Sequence, residues 1–249
     1  MPIFIKPVLA STVNFHINYA CNADCVFCYR PNGAELSFQH QLELISLLAP
    51  LTNRLNFAGG EPTLVKHLPL LLERAKAVGL QTSLITNGSV YLANPKKLQA
   101  VLPYLDMVGV SIDSIDEETN KKIGRPHFTA AQWLDFAQTV EEYGVSLKIN
   151  TAVCRYNLHE DLSGFISRMD PDRYKVFQAF PVEGTEGTTQ NNPKDWVVSD
   201  AEFRQFVSRH KRVNPVVESG EAMRGSYAMI SPDGRFYDST RTSYTNSDP

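Results

Sequence analysis

Residues 13–28 read VNFHINYACNADCVFC. The first six alternate with the period of a β-strand: Val13, Phe15 and Ile17 share one face, and Asn14, His16 and Asn18 the other. Three cysteines then fall within eight residues, as Cys21-x3-Cys25-x2-Cys28. Thiols this close bind a metal, pair as disulfides, or coincide by chance. A strand running straight into such a cluster suits a parallel α/β fold, which gathers its chemistry at the carboxyl ends of its strands.

The strand signal recurs along the chain. Residues 54–58 (RLNFA), 80–86 (LQTSLIT), 107–113 (MVGVSID), 145–153 (VSLKINTAV) and 174–180 (YKVFQAF) read as five more strands. Helical stretches 38–48, 65–78, 96–102, 130–143 and 160–168 lie between them, and 200–211 follows the last. Regular alternation implies right-handed βαβ units and a parallel sheet, either open and doubly wound or rolled into a partial barrel. Residues 184–193 (GTEGTTQNNP) form the one clear loop. It divides a core of residues 1–183 from a smaller C-terminal region, 184–249, expected to pack against the core.

Both faces of a parallel sheet are ordinarily covered, and its strands read as continuous apolar runs. These strands do not. Arg54 and Asn56 oppose Leu55 and Phe57; Lys148 and Asn150 oppose Leu147 and Ile149; Arg173, Lys175 and Phe177 share a face. That polar, cationic face either meets solvent or lines a lumen suited to a hydrated anionic ligand.

Bulk properties narrow the classes. The chain has 249 residues, enough for one large domain or two small ones. A net charge of -3 argues against a direct nucleic-acid binder. No apolar run is long enough to span a bilayer, and the opening MPIFIKPVLAS is too weak for a signal peptide. A cytoplasmic location is therefore expected. Four cysteines in such a chain are ligands or catalysts sooner than bridges.

Structural zinc takes four protein ligands, as do ordinary [4Fe-4S] clusters. Three thiolates leave one iron of a cubane open to a small molecule. Phe27 and Tyr29 flank the last thiols and would shield a cluster. Cys154, the fourth cysteine, reads as a small buried hydrophobe or as a distant fourth ligand.

The cysteine spacing with an aromatic at Phe27 resembles the signature of the radical S-adenosylmethionine superfamily. The run Ala58-Gly59-Gly60-Glu61-Pro62 after the second strand is similar to that superfamily's GGEP motif. The resemblance implies a partial (βα)6 barrel with a smaller C-terminal extension, and a [4Fe-4S] cluster on Cys21, Cys25 and Cys28. It implies S-adenosyl-L-methionine as cofactor, with Gly59, Gly60, Glu61, Asn87, Ser111 and Asp113 as its contacts. The bland readings stand beside these: Asn87-Gly88 is also a turn, and Asp113-Ser114 also a helix start.

Six further segments resemble the viperins: VGVSIDSIDEETNKKIGR (108–125), KIN (148–150), NLHED (157–161), RYKVFQ (173–178), EFRQFVSRHK (202–211) and GSYAMISPDGRF (225–236). The likeness is to prokaryotic or fungal members, since no amphipathic membrane helix precedes residue 13. It implies dehydration of a ribonucleoside triphosphate (CTP, UTP or GTP) to its 3′-deoxy-3′,4′-didehydro analogue, an antiviral RNA chain terminator. It also implies an electron donor such as a flavodoxin or ferredoxin. Asn14, Arg54, Arg125, Lys148, Asn150, Arg173, Lys175 and Tyr227 fall at the substrate positions, with Tyr227 also as a catalytic donor. Arg54 departs from the lysine of the animal members. The resemblance implies a closing segment beyond residue 249. Another radical enzyme, acting on a peptide or cyclic nucleotide, and a non-enzymatic iron–sulfur or zinc module are the competing expectations.

Overall fold

A computed structural model describes residues 10–28, 33–181, 192–223 and 226–237. Tyr29 and residues 184–191 of the polar loop lie outside these. All six expected strands form: β1 (Thr12–His16), β2 (Arg54–Ala58), β3 (Gln81–Thr86), β4 (Met107–Ser111), β5 (Ser146–Val153) and β6 (Arg173–Gln178). They pair in sequence order and in parallel. Two strands beyond the expected six extend the same sheet. β7 (Val216–Glu218) joins parallel to β6 at one edge, and β8 (Ala228–Ile230) joins parallel to β1 at the other. β9 (Phe236–Tyr237) caps β8 antiparallel.

The crossover helices are α1 (Phe38–Leu48), α2 (Leu68–Ala77), α3 (Ser89–Ala93), α4 (Pro95–Gln99), α5 (Glu117–Ile123), α6 (Ala130–Glu142) and α7 (Ser163–Met169). α8 (Pro193–Trp196), α9 (Asp200–Arg209) and α10 (Gly220–Met223) follow β6. Caps set several boundaries. Thr129 with Gln132 and Ser199 with Glu202 form capping boxes at the starts of α6 and α9. The expected helix 65–78 begins only at Leu68, as α2, and a separate 3-10 turn, Pro62–Leu64, precedes it. Pro69 is the cause. A proline lacks the N–H of a helix interior but fits its first turn, so α2 starts one residue before it. The helix expected at 160–168 begins later. Asp161 accepts from the Ser163 N–H at 2.9 Å, and the Leu162 N–H donates to His210 at 2.9 Å.

The apolar strand faces supply the core. Val13, Phe15, Leu55, Phe57, Leu84, Val108, Val110, Ile149 and Val176 are buried beneath the helices, joined by Leu71 and Leu72 of α2 and Phe136 and Val140 of α6. Each large aliphatic or aromatic residue so buried contributes about 1.5–3 kcal/mol.

The sheet is rolled into a half-barrel. Strand spacing demonstrates the curvature. β8 and β6 stand six strands apart in the sheet order, about 29 Å if the sheet were flat. Yet Tyr227, directly before β8, accepts a hydrogen bond from Lys175 on β6. The polar strand faces therefore line an interior, and the C-terminal strands bring its two edges together.

Candidate active site

The cysteine loop leaves the carboxyl end of β1 and is held from both sides by glycines. On one side, the Gly60 N–H donates to Asn18 O and the Glu61 N–H to Ala20 O, both at 2.8 Å. A side chain on Gly60 would stand 2.3 Å from two backbone oxygens, those of Tyr19 and Ala20. On the other side, the Asp24 N–H donates to Gly124 O at 3.0 Å and the Val26 N–H to Ile123 O at 2.9 Å. Gly124 has φ +84°. The loop is also tied to the turn after β3: Asn22 Nδ2 donates to Ser89 Oγ at 2.7 Å, and Asn87 Nδ2 to Asn22 Oδ1 at 2.9 Å.

Cys21 and Cys28 are half-buried and Cys25 is buried; none forms a disulfide. Burial pushes the Cys25 thiol up to about 12. The Arg125 charge opposes this, while Cys21 and Cys28 add to it, so the three thiols share one electrostatic neighbourhood. Among the described residues no three His, Cys, Asp or Glu side chains converge on one ion position. Zinc wants four protein ligands meeting at a point; in a cubane each of the three thiolates would bind a different iron. Beneath the loop lies a small apolar cluster of Val26, Ile123, Cys154, Ala179 and Trp196. Trp196 meets Phe27 edge-on, with centroids 6.4 Å apart. Cys154 is fully buried there, and burial pushes its thiol up to about 11.

Several expected cofactor contacts are engaged within the protein. Glu61 is 1% exposed. It accepts from the Thr63 N–H and hydroxyl, the Thr86 hydroxyl and the Asn87 N–H, the last two at 2.7 Å. Burial nevertheless raises its pKa, against those four donors. Its carboxylate thus fastens the glycine loop to the end of β3. Asp113 accepts from the Ala152 N–H at 2.7 Å and from Arg125 Nε at 2.6 Å. Arg125 in turn lies over the Phe27 ring, 5.8 Å from its centroid. The structure therefore groups Arg125 with Asp113 and the cysteine loop. Ser111 pairs in register with Asn150, and Asn150 with Lys175, on the inner face.

The cations of the inner face do come together. Lys148 pairs in register with Arg173. Its ammonium is pushed down to about 8, first by burial, then by Lys175 and Arg173, with Arg54 adding a smaller push. Glu218 is the carboxylate acting the other way. Lys148 makes no hydrogen bond or ion pair of its own among the described residues. Arg54 donates to Gln81 at 2.7 Å. Lys175 is 7% exposed and pairs with Glu218 at 2.7 Å. On the far wall a polar ladder crosses three strands. Ser83 donates to Asn56 at 2.8 Å, and Asn56 to Asn14 at 2.6 Å.

Tyr227 and Glu218 complete the lumen from the C-terminal region. The Tyr227 hydroxyl accepts from Lys175 and donates to Glu218. Lys175 also stands 4.9 Å from the Tyr227 ring centroid. Sequence reasoning missed Glu218. β7 has only three residues, two of them valines, and carries no periodic signal.

The Radical SAM superfamily profile matches residues 16–167, more than half of the chain. An S-adenosylmethionine-dependent nucleotide dehydratase of Lacinutrix mariniflava is 37% identical over 96% of this chain, which spans 52% of that protein. One of Flammeovirga pacifica, with the same description, is 36% identical over 95% of this chain and 85% of its own length. Streptococcus suis SuiB bound to S-adenosylmethionine superposes with a TM-score of 0.69 at 15% identity, covering 91% of this chain and 59% of that one. This last likeness is one of fold alone. The chain belongs to the radical SAM superfamily and, within it, to the family of the S-adenosylmethionine-dependent nucleotide dehydratases.

Proposed function

We propose that this chain dehydrates a ribonucleoside triphosphate (CTP, UTP or GTP) to its 3′-deoxy-3′,4′-didehydro form. The observation that carries the reading is the shared electrostatic neighbourhood of buried Lys175, half-buried Lys148 and Arg54, and exposed Arg173 on the polar face of the rolled sheet, below a rim that bears three thiols. Crowding cations in a half-buried lumen is costly without a polyanion. A triphosphate carries about four negative charges and repays it with charge-assisted hydrogen bonds. The names of the relatives, nucleotide dehydratases, agree with that substrate class.

Cys21, Cys25 and Cys28 would hold a [4Fe-4S] cluster, and S-adenosyl-L-methionine bound beside it would supply a 5′-deoxyadenosyl radical that takes the 4′ hydrogen. The remaining work falls to this chain's own residues. Lys148, Lys175, Arg173 and Arg54 hold the phosphates. Lys148 lies third in β5, five residues before its end, and Lys175 lies third in β6, three before its end. That is about 10–17 Å of strand below the rim, so a triphosphate gripped there leaves its sugar toward the thiols. Asn14 and Asn150 offer amides to the sugar or the phosphates. Arg125, fixed by Asp113 near the cysteines, meets whatever carboxylate or phosphate reaches the rim. Gly59 and Gly60 let backbone carbonyls approach the cofactor, and Asn87 and Ser111 stand at the ends of neighbouring strands for its hydroxyls.

Removal of the 4′ hydrogen, then loss of the 3′ hydroxyl with one electron and one proton, takes out one water overall. Tyr227 stands in the lumen to deliver hydrogen or an electron. The C-terminal region, 184–249, helps close the site through β7, β8 and Tyr227. A flavodoxin or ferredoxin in a reducing cytoplasm would supply the electrons. Among the described residues no helix is long and apolar enough to cross a membrane.

The reading is tested by incubating reconstituted protein, S-adenosylmethionine and dithionite anaerobically with each of the four triphosphates. 5′-Deoxyadenosine should rise with one or a few of them, beside a nucleotide lighter by one water. A level equal to the no-substrate background with all four would overturn it.

A further inference from the structure

Among the described residues Lys148 shares its electrostatic neighbourhood with Lys175, Arg173, Arg54 and one carboxylate, Glu218, and the carboxylate is the anomaly. Glu218 sits where the proposed substrate's negative charge must go. It is carried by β7 at the β6 edge of the sheet. Its Oε1 lies 2.7 Å from Lys175 Nζ, and its Oε2 accepts from the Tyr227 hydroxyl. Lys175 also donates to that hydroxyl, which closes a three-membered ring of contacts.

An ammonium has three N–H donors. Two of those on Lys175 are taken, by Glu218 and by Tyr227. One is left for a phosphate. A triphosphate that engages Lys175 fully must therefore displace one of the two. Charge selects which: a phosphate beside the Glu218 carboxylate is repelled, whereas a phosphate beside a phenol is not. The phenol's own proton points at Glu218, so its orientation survives when Lys175 turns to the substrate.

We propose that Glu218 is a positioning residue with two duties: it is the counter-anion of the phosphate-binding lysines until the triphosphate takes its place on Lys175, and it then holds the Tyr227 hydroxyl in the lumen. This rests on the triphosphate reading above. It explains why a site built for anions keeps a carboxylate, and why that carboxylate comes from the C-terminal region that also delivers Tyr227. The geometry trades some substrate affinity for the aim of the phenol.

The two duties predict opposite effects on binding and turnover, which simple damage to the site cannot produce. Reconstituted wild type, Glu218→Gln, Glu218→Asp, Tyr227→Phe and Glu218→Gln/Tyr227→Phe are compared, with iron content and cluster absorbance measured for each. Binding of the preferred nucleoside triphosphate is titrated calorimetrically at pH 6.5, and product formation is followed in single turnover. Glu218→Gln should bind on the order of tenfold more tightly and turn over more slowly. Glu218→Asp keeps the charge, so it should bind as wild type does but turn over slowly. In the Tyr227→Phe background, Glu218→Gln should tighten binding and slow turnover no further. Unchanged or weaker binding in Glu218→Gln, or equal slowing with and without the phenol, overturns the proposal. Tight triphosphate binding by wild type leaves the substrate reading intact in that event. No binding by wild type overturns both.

Discussion

The clearest test of how the chain builds its cluster loop is a methyl group on Gly124. This residue has φ +84°, and a Cβ there would lie 2.0 Å from the backbone oxygen of Asp24, between two thiol residues. Contacts under 3.0 Å are not found, so the two backbones must part by at least about 1.0 Å. That motion stretches the Asp24–Gly124 and Val26–Ile123 bonds, now 3.0 and 2.9 Å, beyond hydrogen-bonding range. An alanine in the left-handed region costs about 1–2 kcal/mol, and each lost bond about 0.5–1.5 kcal/mol. Gly124→Ala should therefore cost about 2–5 kcal/mol, concentrated on the segment that carries Cys25 and Cys28. Gly144 provides the control. It too has positive φ, +65°, but a Cβ there meets nothing within 4 Å, and it lies at the amino end of β5. Gly144→Ala should show only the backbone cost, a fall in melting temperature of a few degrees for a chain this size. Iron and sulfide content after anaerobic reconstitution is the decisive assay, with thermal denaturation beside it. Gly124→Ala should load substantially less iron, and Gly144→Ala as much as wild type. Equal loading in the two variants would refute the docking of the loop on Gly124.

Three further outcomes are expected. Lys148, at about 8, must be protonated to hold phosphate, so triphosphate affinity should fall as pH rises through 8. The sign for folding is opposite: a charged, buried Lys148 is a burden that lifts above pH 8, so Lys148→Met should stabilise the free protein while binding weakens about 10–100-fold. Calorimetry at pH 6.5 and 9 with chemical denaturation checks both signs, and a pH-independent affinity would exclude Lys148 from the site. His210 is fully buried, paired with Phe206 O at 2.8 Å and accepting from the Leu162 N–H. Burial holds its pKa below the ordinary 6.5. Its stabilisation is therefore complete above pH 6.5 and is lost progressively below it. Denaturation midpoints at pH 7.5 and 5.5 should differ in wild type and differ less in His210→Gln; an equal difference would assign the effect elsewhere, His16 and His67 included. Cys154→Ala should leave the cluster absorbance unchanged at a cost of about 1 kcal/mol, whereas loss of the spectrum would make Cys154 a ligand.

The strands were legible because their alternation is local. Val13 to Ile17 and Leu147 to Ile149 announce an apolar outer face, and Arg54, Lys148 and Lys175 an inner one, from neighbouring residues alone. The cysteine triplet was legible for the same reason. What stayed hidden depends on pairings across the chain. Asp113 and Arg125 are both visible as charged residues, but nothing local says that they bind each other before anything else. Glu61 reads as a cofactor contact, and nothing local says that Thr63, Thr86 and Asn87 donate to it as well. Pro69 was a local signal and was sufficient to place the start of α2. Glu218 has no such signal, because its meaning comes from the roll of the sheet. Only curvature brings the strand beside β6 and the strand beside β1 to a common point. Neighbouring strands already set Lys148 beside Arg173 and Lys175; the same curvature brings Arg54 of β2 toward them and rolls the sheet over Lys148. On a flat sheet Lys148 would meet solvent, and the burial that chiefly depresses it would be lost. The depressed Lys148 and the Lys175–Tyr227 contact thus both depend on the roll of the sheet. Opening the seam between β6 and β8 should release both together: in Tyr227→Phe, which removes the hydroxyl that Lys175 and Glu218 share, any widening of the seam must appear as a rise in the Lys148 pKa.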